Sequence, residues 1–117
     1  YLDLVLRGGF TANKAAITDA DLDAYAEAYA RPGALAALGG YFRAMWTNAD
    51  DDRASAQTPL TIPVAAFGGE YSVGAGAAMS MQAVATQVET VIVPGAGHWL
   101  PEENGPYVVD TLRDFLA

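Results

Sequence analysis

An α/β fold is predicted for this chain, as a parallel strand-helix-strand-helix crossover preceded by a helical segment. Three features predict it. Two short apolar runs, Ile62-Pro63-Val64-Ala65-Ala66-Phe67 and Val91-Ile92-Val93, are each stopped at or soon after their end by glycine. Helical spacing of apolar residues separates these runs and follows the second. Before residue 50 only helical spacing occurs. Uninterrupted apolar runs of this length suit strands buried on both faces, as in parallel sheets, and a parallel pair requires a crossover, which is right-handed. Two helices and one crossover make less than a complete doubly wound domain, and Tyr1-Leu2-Asp3-Leu4 reads as the interior of a longer chain.

Taken in order, Leu2, Leu4, Val5, Leu6 and Phe10, interrupted by Gly8-Gly9, predict a helix end or loop with no assigned function. Thr18 begins a helix: its hydroxyl caps, Asp19 and Asp21 favour the positive N-terminus, and Leu22, Tyr25, Ala26 and Tyr29 share a face. Pro32 ends that helix near Arg31 and opens the next, whose stripe is Leu35, Leu38, Phe42 and Met45, running to about Trp46. Gly39-Gly40 inside it predicts a kink or a close helix contact. Residues 1–50 form one helical unit, 51–59 a polar linker, and 60–117 the crossover unit. In the last, a helix is expected from about Ala77 to Thr86 and another from about Pro106 to Leu116, with Val108, Val109, Leu112, Phe115 and Leu116 on one face.

Composition removes several functions. Fourteen acidic against six basic residues give a net charge of -8, and the cations are scattered, so nucleic acid is excluded as a partner. No apolar run approaches the roughly 20 residues of a membrane span. No cysteine is present, and a single histidine cannot build an imidazole metal site. Asp50-Asp51-Asp52 lacks the alternating ligands and glycine of a calcium loop. No metal and no cofactor is implied.

The candidate chemistry lies after the second strand, in Gly95-Ala96-Gly97-His98-Trp99-Leu100-Pro101-Glu102-Glu103. Ligands of open α/β sheets bind at the carboxyl ends of strands, and imidazole, with an ordinary pKa of about 6.5, is suited to moving protons near neutrality. Glu102 and Glu103 are read as favouring the start of the last helix.

This loop resembles the histidine loop of α/β-hydrolases, on the branch of epoxide hydrolases and haloalkane or haloacetate dehalogenases. The resemblance extends in element order over most of the chain. Residues before about 50 are similar to the later helices of that family's cap, and those from about 60 to 117 to the last two strands and helices of its core. It implies a hydrolase, most like an epoxide hydrolase, in which an aspartate nucleophile forms an ester with substrate and His98 activates the water that cleaves it. A dehalogenase and a serine ester or lactone hydrolase are the alternatives within the family. A non-catalytic fragment or binding module without a nucleophile is the alternative outside it.

Residue by residue, the resemblance makes His98 the general base and Glu70 the acid that orients it, although the family's usual Gly-x-x-Asp acid falls on Ser72. The other source of the acid is a strand end in the missing N-terminal half of the core. Glu70-Tyr71-Ser72-Val73-Gly74 imitates a nucleophile elbow but has glutamate where the strained turn needs a small residue. Gly40-Tyr41-Phe42-Arg43 resembles the cap segment that supplies a phenol to the epoxide oxygen; alignment puts Phe42 there, leaving Tyr41 as the candidate donor. Trp99 is the second candidate for contact with a small-molecule substrate. With nucleophile and oxyanion donors expected upstream of Tyr1, no turnover is expected of these residues by themselves.

Overall fold

The computed structural model describes residues 1–117. Two parallel strands, β1 (Val64–Gly69) and β2 (Val88–Val93), pair in register from Val64 opposite Val88 to Gly69 opposite Val93. They are joined through α5 (Gly76–Met81), shorter than the helix expected between them, which packs on both strands. Leu60 extends the pairing, donating its N–H to the Val84 carbonyl at 2.8 Å and accepting from Thr86 N–H at 2.9 Å. The sequence order strand, helix, strand, helix is therefore the order of the fold.

Burial on both strand faces does not hold along β2. Val91 and Val93 are buried, whereas Ile92 between them is 45 % exposed and Thr90 is exposed. Successive strand residues point to opposite faces, and within this chain only the Val91 and Val93 side is covered.

The helical segment holds α1 (Leu2–Leu6), α2 (Asp19–Ala30), α3 (Ala34–Arg43) and α4 (Met45–Ser55). Thr18 caps α2 in a full capping box: its side chain accepts from Asp21 N–H, and Asp21 accepts from Thr18 N–H. Arg7 ties α1 to this start, donating to the Ile17 carbonyl at 2.7 Å and pairing with Asp19 at 2.8 Å and Asp3 at 3.3 Å. Beneath that tie Ile17 is 1 % exposed.

Three expectations need correction here. Gly39-Gly40 does not break α3: the helix runs through both glycines, with the Arg43 side chain beside them, and the break falls at Ala44. Residues 51–55 of the expected linker are helical, since nothing between Met45 and Ser55 breaks a helix and Asp50 pairs with Arg53 one turn on. Apolar residues in that stretch favour no single face, so spacing gave no signal. Finally, α6 spans Leu100–Leu116 as two pieces bent at Asn104 (φ -150°, ψ 60°), and the expected start at Pro106 is that of the second piece.

Replacement of Ile17 by alanine is expected to lower unfolding free energy by about 3 kcal/mol, because truncating a fully buried side chain leaves a cavity and Arg7 already holds the Ile17 carbonyl in place. Urea denaturation of the variant checks this, with a loss under about 1 kcal/mol marking a loosely packed site.

Candidate active site

The site is built at the carboxyl end of β2. After Val93 the chain turns at Pro94-Gly95 and runs back across the end of β1, where Tyr71 N–H reaches the Ala96 carbonyl at 3.0 Å and Glu70 N–H the Val93 carbonyl at 3.1 Å. It then passes between two other backbones. A methyl group on Gly69 would stand 1.9 Å from the Gly97 carbonyl oxygen, and one on Gly97 would stand 2.3 Å from the Phe10 carbonyl oxygen. Glycine is therefore required at both positions for the loop to fit between β1 and the segment after α1.

That segment, residues 10–13, had no role in the sequence reading and turns out to hold the loop. His98 N–H donates to the Phe10 carbonyl at 2.8 Å. The carboxylate of Glu103, 6 % exposed, accepts from four backbone N–H groups: Ala12 at 2.7 Å, Asn13 and Gly97 at 2.9 Å on one oxygen, and Trp99 at 2.9 Å on the other. Asn13 returns a side-chain bond to the Glu103 carbonyl at 3.2 Å. The two loop donors flank His98 in sequence, so one buried charge fixes the residues on either side of the imidazole. Burial by itself would push the Glu103 carboxyl up; the N–H groups of Asn13, Gly97, Trp99 and Ala12 outweigh it and hold the pKa below its ordinary value. The neighbouring Glu102 accepts from the Tyr25 hydroxyl on α2, and that bond, with burial second, pushes the phenol up to about 12. The two glutamates thus connect the last helix to the helical segment, beyond the helix-start role read from sequence.

His98 itself is exposed, with its ring set between Phe10, at 6.2 Å between ring centroids, and Trp99, at 4.7 Å and nearly perpendicular. Such an edge-to-face pair orients the imidazole without burying it. The Trp99 indole N–H is buried and has no hydrogen-bond partner.

The other candidates fare unevenly. Glu70 is not brought to His98: its carboxylate accepts the Gly95 N–H at 2.8 Å, a donor freed where β2 ends, and no ion pair joins it to the imidazole. Ser72 lies in the turn after β1 and makes no hydrogen bond to His98. Tyr41 is 72 % exposed and stands outside the cavity that adjoins the loop. Trp99 lines that cavity, of about 280 Å³, together with Tyr25, Tyr29, Leu35, Leu38 and Phe42, and α1 closes it. Phe42 thus lies toward the cavity where Tyr41 was expected, because α3 turns that face toward α2. No group of acidic or imidazole side chains in the chain could hold a metal ion.

No family model matches the chain. It is 31 % identical over 100 residues to the soluble epoxide hydrolase of Corynebacterium sp. (strain C12), an alignment covering 86 % of this chain and 35 % of that protein. Its structure superposes on wild-type Cfl2 from Burkholderia cenocepacia with a TM-score of 0.90 and 31 % identity, over 100 % of this chain and 40 % of that one. In sequence and in fold the chain is similar to the C-terminal portion of an α/β-hydrolase. Among α/β-hydrolases the likeness falls on the epoxide hydrolase branch, since the epoxide hydrolase CorEH, solved without ligand, also matches, with a TM-score of 0.88 and 28 % identity over 98 % of this chain and 41 % of that one. The chain spans 35 to 41 % of the length of these relatives. In this chain the histidine loop follows the second of two parallel strands, and Trp99 at its end lines the cavity bounded by α1, α2 and α3.

Replacing Glu103 by glutamine is expected to cost about 3 kcal/mol, since an amide cannot receive all four N–H groups and leaves buried donors unpaired. The sign of the pH dependence follows from a carboxyl whose folded pKa is lowered. Its contribution is complete above the unfolded value of about 4.3 and is lost as pH falls through the folded one. Denaturation from pH 7 to 3 should show wild type losing stability toward the acid end and converging on Glu103→Gln; curves a constant distance apart would contradict the assignment.

Proposed function

We propose that His98 is the general base of an epoxide hydrolase-type reaction, activating the water that releases product from a covalent ester. The observation that carries this reading is the clamped loop: an imidazole beyond a strand end, exposed for chemistry while the backbone on both sides of it is held by Glu103. The similarity to epoxide hydrolases supports the choice of reaction.

In this reading the nucleophile is an aspartate outside these residues. Its carboxylate is ionised at neutral pH and attacks a strained ring carbon unaided, opening the C–O bond and leaving an alkoxide that takes up a proton. Water attacks the resulting ester only after giving a proton to a base, which is the work assigned to His98. The carboxylate that orients the imidazole also lies outside these residues, since Glu70 is held by Gly95. The division into a helical unit over residues 1–50 and a core unit over 60–117 is part of the same reading, with the boundary after α4.

His98→Gln in the full-length protein tests the proposal. Glutamine is similar in bulk but cannot accept the proton, so the ester should form and persist. Mass spectrometry after brief exposure to an epoxide should show protein plus substrate mass, with turnover down at least 10²-fold, the lower range for loss of a general base. Turnover at the wild-type rate would make His98 structural, and loss of turnover without adduct would point to a serine nucleophile that needs the histidine for its own attack.

A further inference from the structure

We propose that Asn104-Gly105 is a site of self-modification, at which the Gly105 nitrogen displaces the Asn104 side-chain amide, and that the product unties the neck of the histidine loop. This concerns the chain's own covalent chemistry and does not depend on the reaction proposed above.

Three observations lead there. First, the chain holds three asparagines, followed by Lys14, Ala49 and Gly105. A side chain on the following residue shields its backbone nitrogen from the asparagine, and Gly105 has none. Neighbouring residues do not replace that shield, since a methyl group on Gly105 would meet nothing within 4 Å.

Second, the backbone differs at the three positions. Ring closure requires rotation that brings the next nitrogen to the side-chain carbon. Asn48 lies within α4, where helical bonds resist that rotation, and Asn13 is held to Glu103 through both its backbone N–H and its side chain. Asn104 is the residue at which α6 leaves helical dihedrals (φ -150°, ψ 60°), two residues before Pro106, which has no N–H to give to the ladder.

Third, the amide that would be lost has a task. Asn104 Nδ2 donates to the Pro94 carbonyl at 2.8 Å. Pro94 follows the last residue of β2 and Asn104 follows Glu103, so this bond joins the two ends of the segment that carries His98.

In the reaction, the Gly105 nitrogen gives its proton to water or hydroxide and bonds to Cγ of Asn104. The Cγ–Nδ2 bond breaks, and Nδ2 takes a proton from solvent and leaves as ammonia. Water then opens the cyclic imide. Attack at Cγ leaves aspartate, and attack at the backbone carbonyl carbon leaves isoaspartate. One water enters and one ammonia departs, with nothing oxidised or reduced. Either product lacks the donor: a carboxylate only accepts, so it cannot bond the Pro94 carbonyl, and it places a new negative charge beside Glu103. Isoaspartate also lengthens the main chain by one carbon directly after the residue that clamps the loop.

The experiment holds the full-length protein in mildly alkaline buffer and follows it by peptide mapping, with Asn13 and Asn48 as internal references. Asn104 should convert at least tenfold faster than either, to aspartate and isoaspartate, two products of one mass that separate by chromatography. Gly105→Ala fits the open space at that position and should slow conversion at least tenfold, with thermal melts confirming that it folds. Asn104→Gln, whose longer side chain must close a larger ring, is the second variant expected to resist conversion. Asn104→Asp, which makes one product directly, should speed amide exchange at Gly97 and Trp99 by about two- to tenfold, the loss of one hydrogen bond. Conversion no faster than at the references, aspartate without isoaspartate, or a rate untouched by Gly105→Ala and Asn104→Gln would each overturn the self-modification. Exchange at the wild-type rate in Asn104→Asp would overturn the role given to the bond at the neck.

Discussion

The buried carboxylate of Glu103 is the interaction on which the rest of the site depends. Four backbone N–H groups, two of them from a segment about 90 residues before Glu103 in sequence, converge on its two oxygens. A carboxylate removed from water is costly unless its lone pairs are met, and here they are met by donors that would themselves be unpaired without it. The compensation is mutual, so the charge and the loop conformation hold each other in place. Gly97 makes the arrangement possible sterically, since any side chain there would strike the Phe10 carbonyl. The bend at Asn104 lies two residues before Pro106, which has no N–H to continue the helical ladder and crowds the preceding turn, so the short first turn that carries Glu103 is set apart from the rest of α6.

Around this polar centre the surroundings are aromatic. Phe10 and Trp99 bracket His98, and Trp99 continues into the wall of the cavity closed by α1, α2 and α3. The polar ties crossing from the helical segment to the last helix are few and specific, Tyr25 to Glu102 and Ala12 and Asn13 to Glu103. Placement of the helices over the loop therefore relies on a few hydrogen bonds and a lightly filled apolar layer. Under the reaction proposed above, that combination suits a cover that admits a substrate while the imidazole keeps its position.

Much of the fold was legible in the sequence because its signals were local. Val91 to Val93, Thr18 with Asp21, and Pro32 each act on their own neighbours, so strand, cap and helix end could be read from residue type and spacing. The position of His98 beyond a strand end was legible because an imidazole that follows glycines after an apolar run is an unusual string. What could not be read was long-range. Nothing near Ala12 or Asn13 marks them as donors to a residue far along the chain, and Glu103 looks like any acidic residue in a first helical turn. The bond from the Gly95 N–H to the Glu70 carboxylate could not be read either, because sequence order does not mark a backbone donor freed at a strand end. At positions 41 and 42 the choice was between adjacent residues on one helix, and only the packing of α3 against α2 decides which of them meets the cavity.

Amide hydrogen exchange resolved to single residues in the full-length protein tests the clamp most directly. The N–H groups of Ala12, Asn13, Gly97 and Trp99 lie in loops or at a helix start, where exchange is ordinarily fast. If Glu103 holds them together, they should be protected as one cooperative set with a common opening free energy. Fast exchange at Gly97 and Trp99, or protection of the loop pair independent of Ala12 and Asn13, would show that the carboxylate does not join the two segments and that the geometry at His98 has another origin.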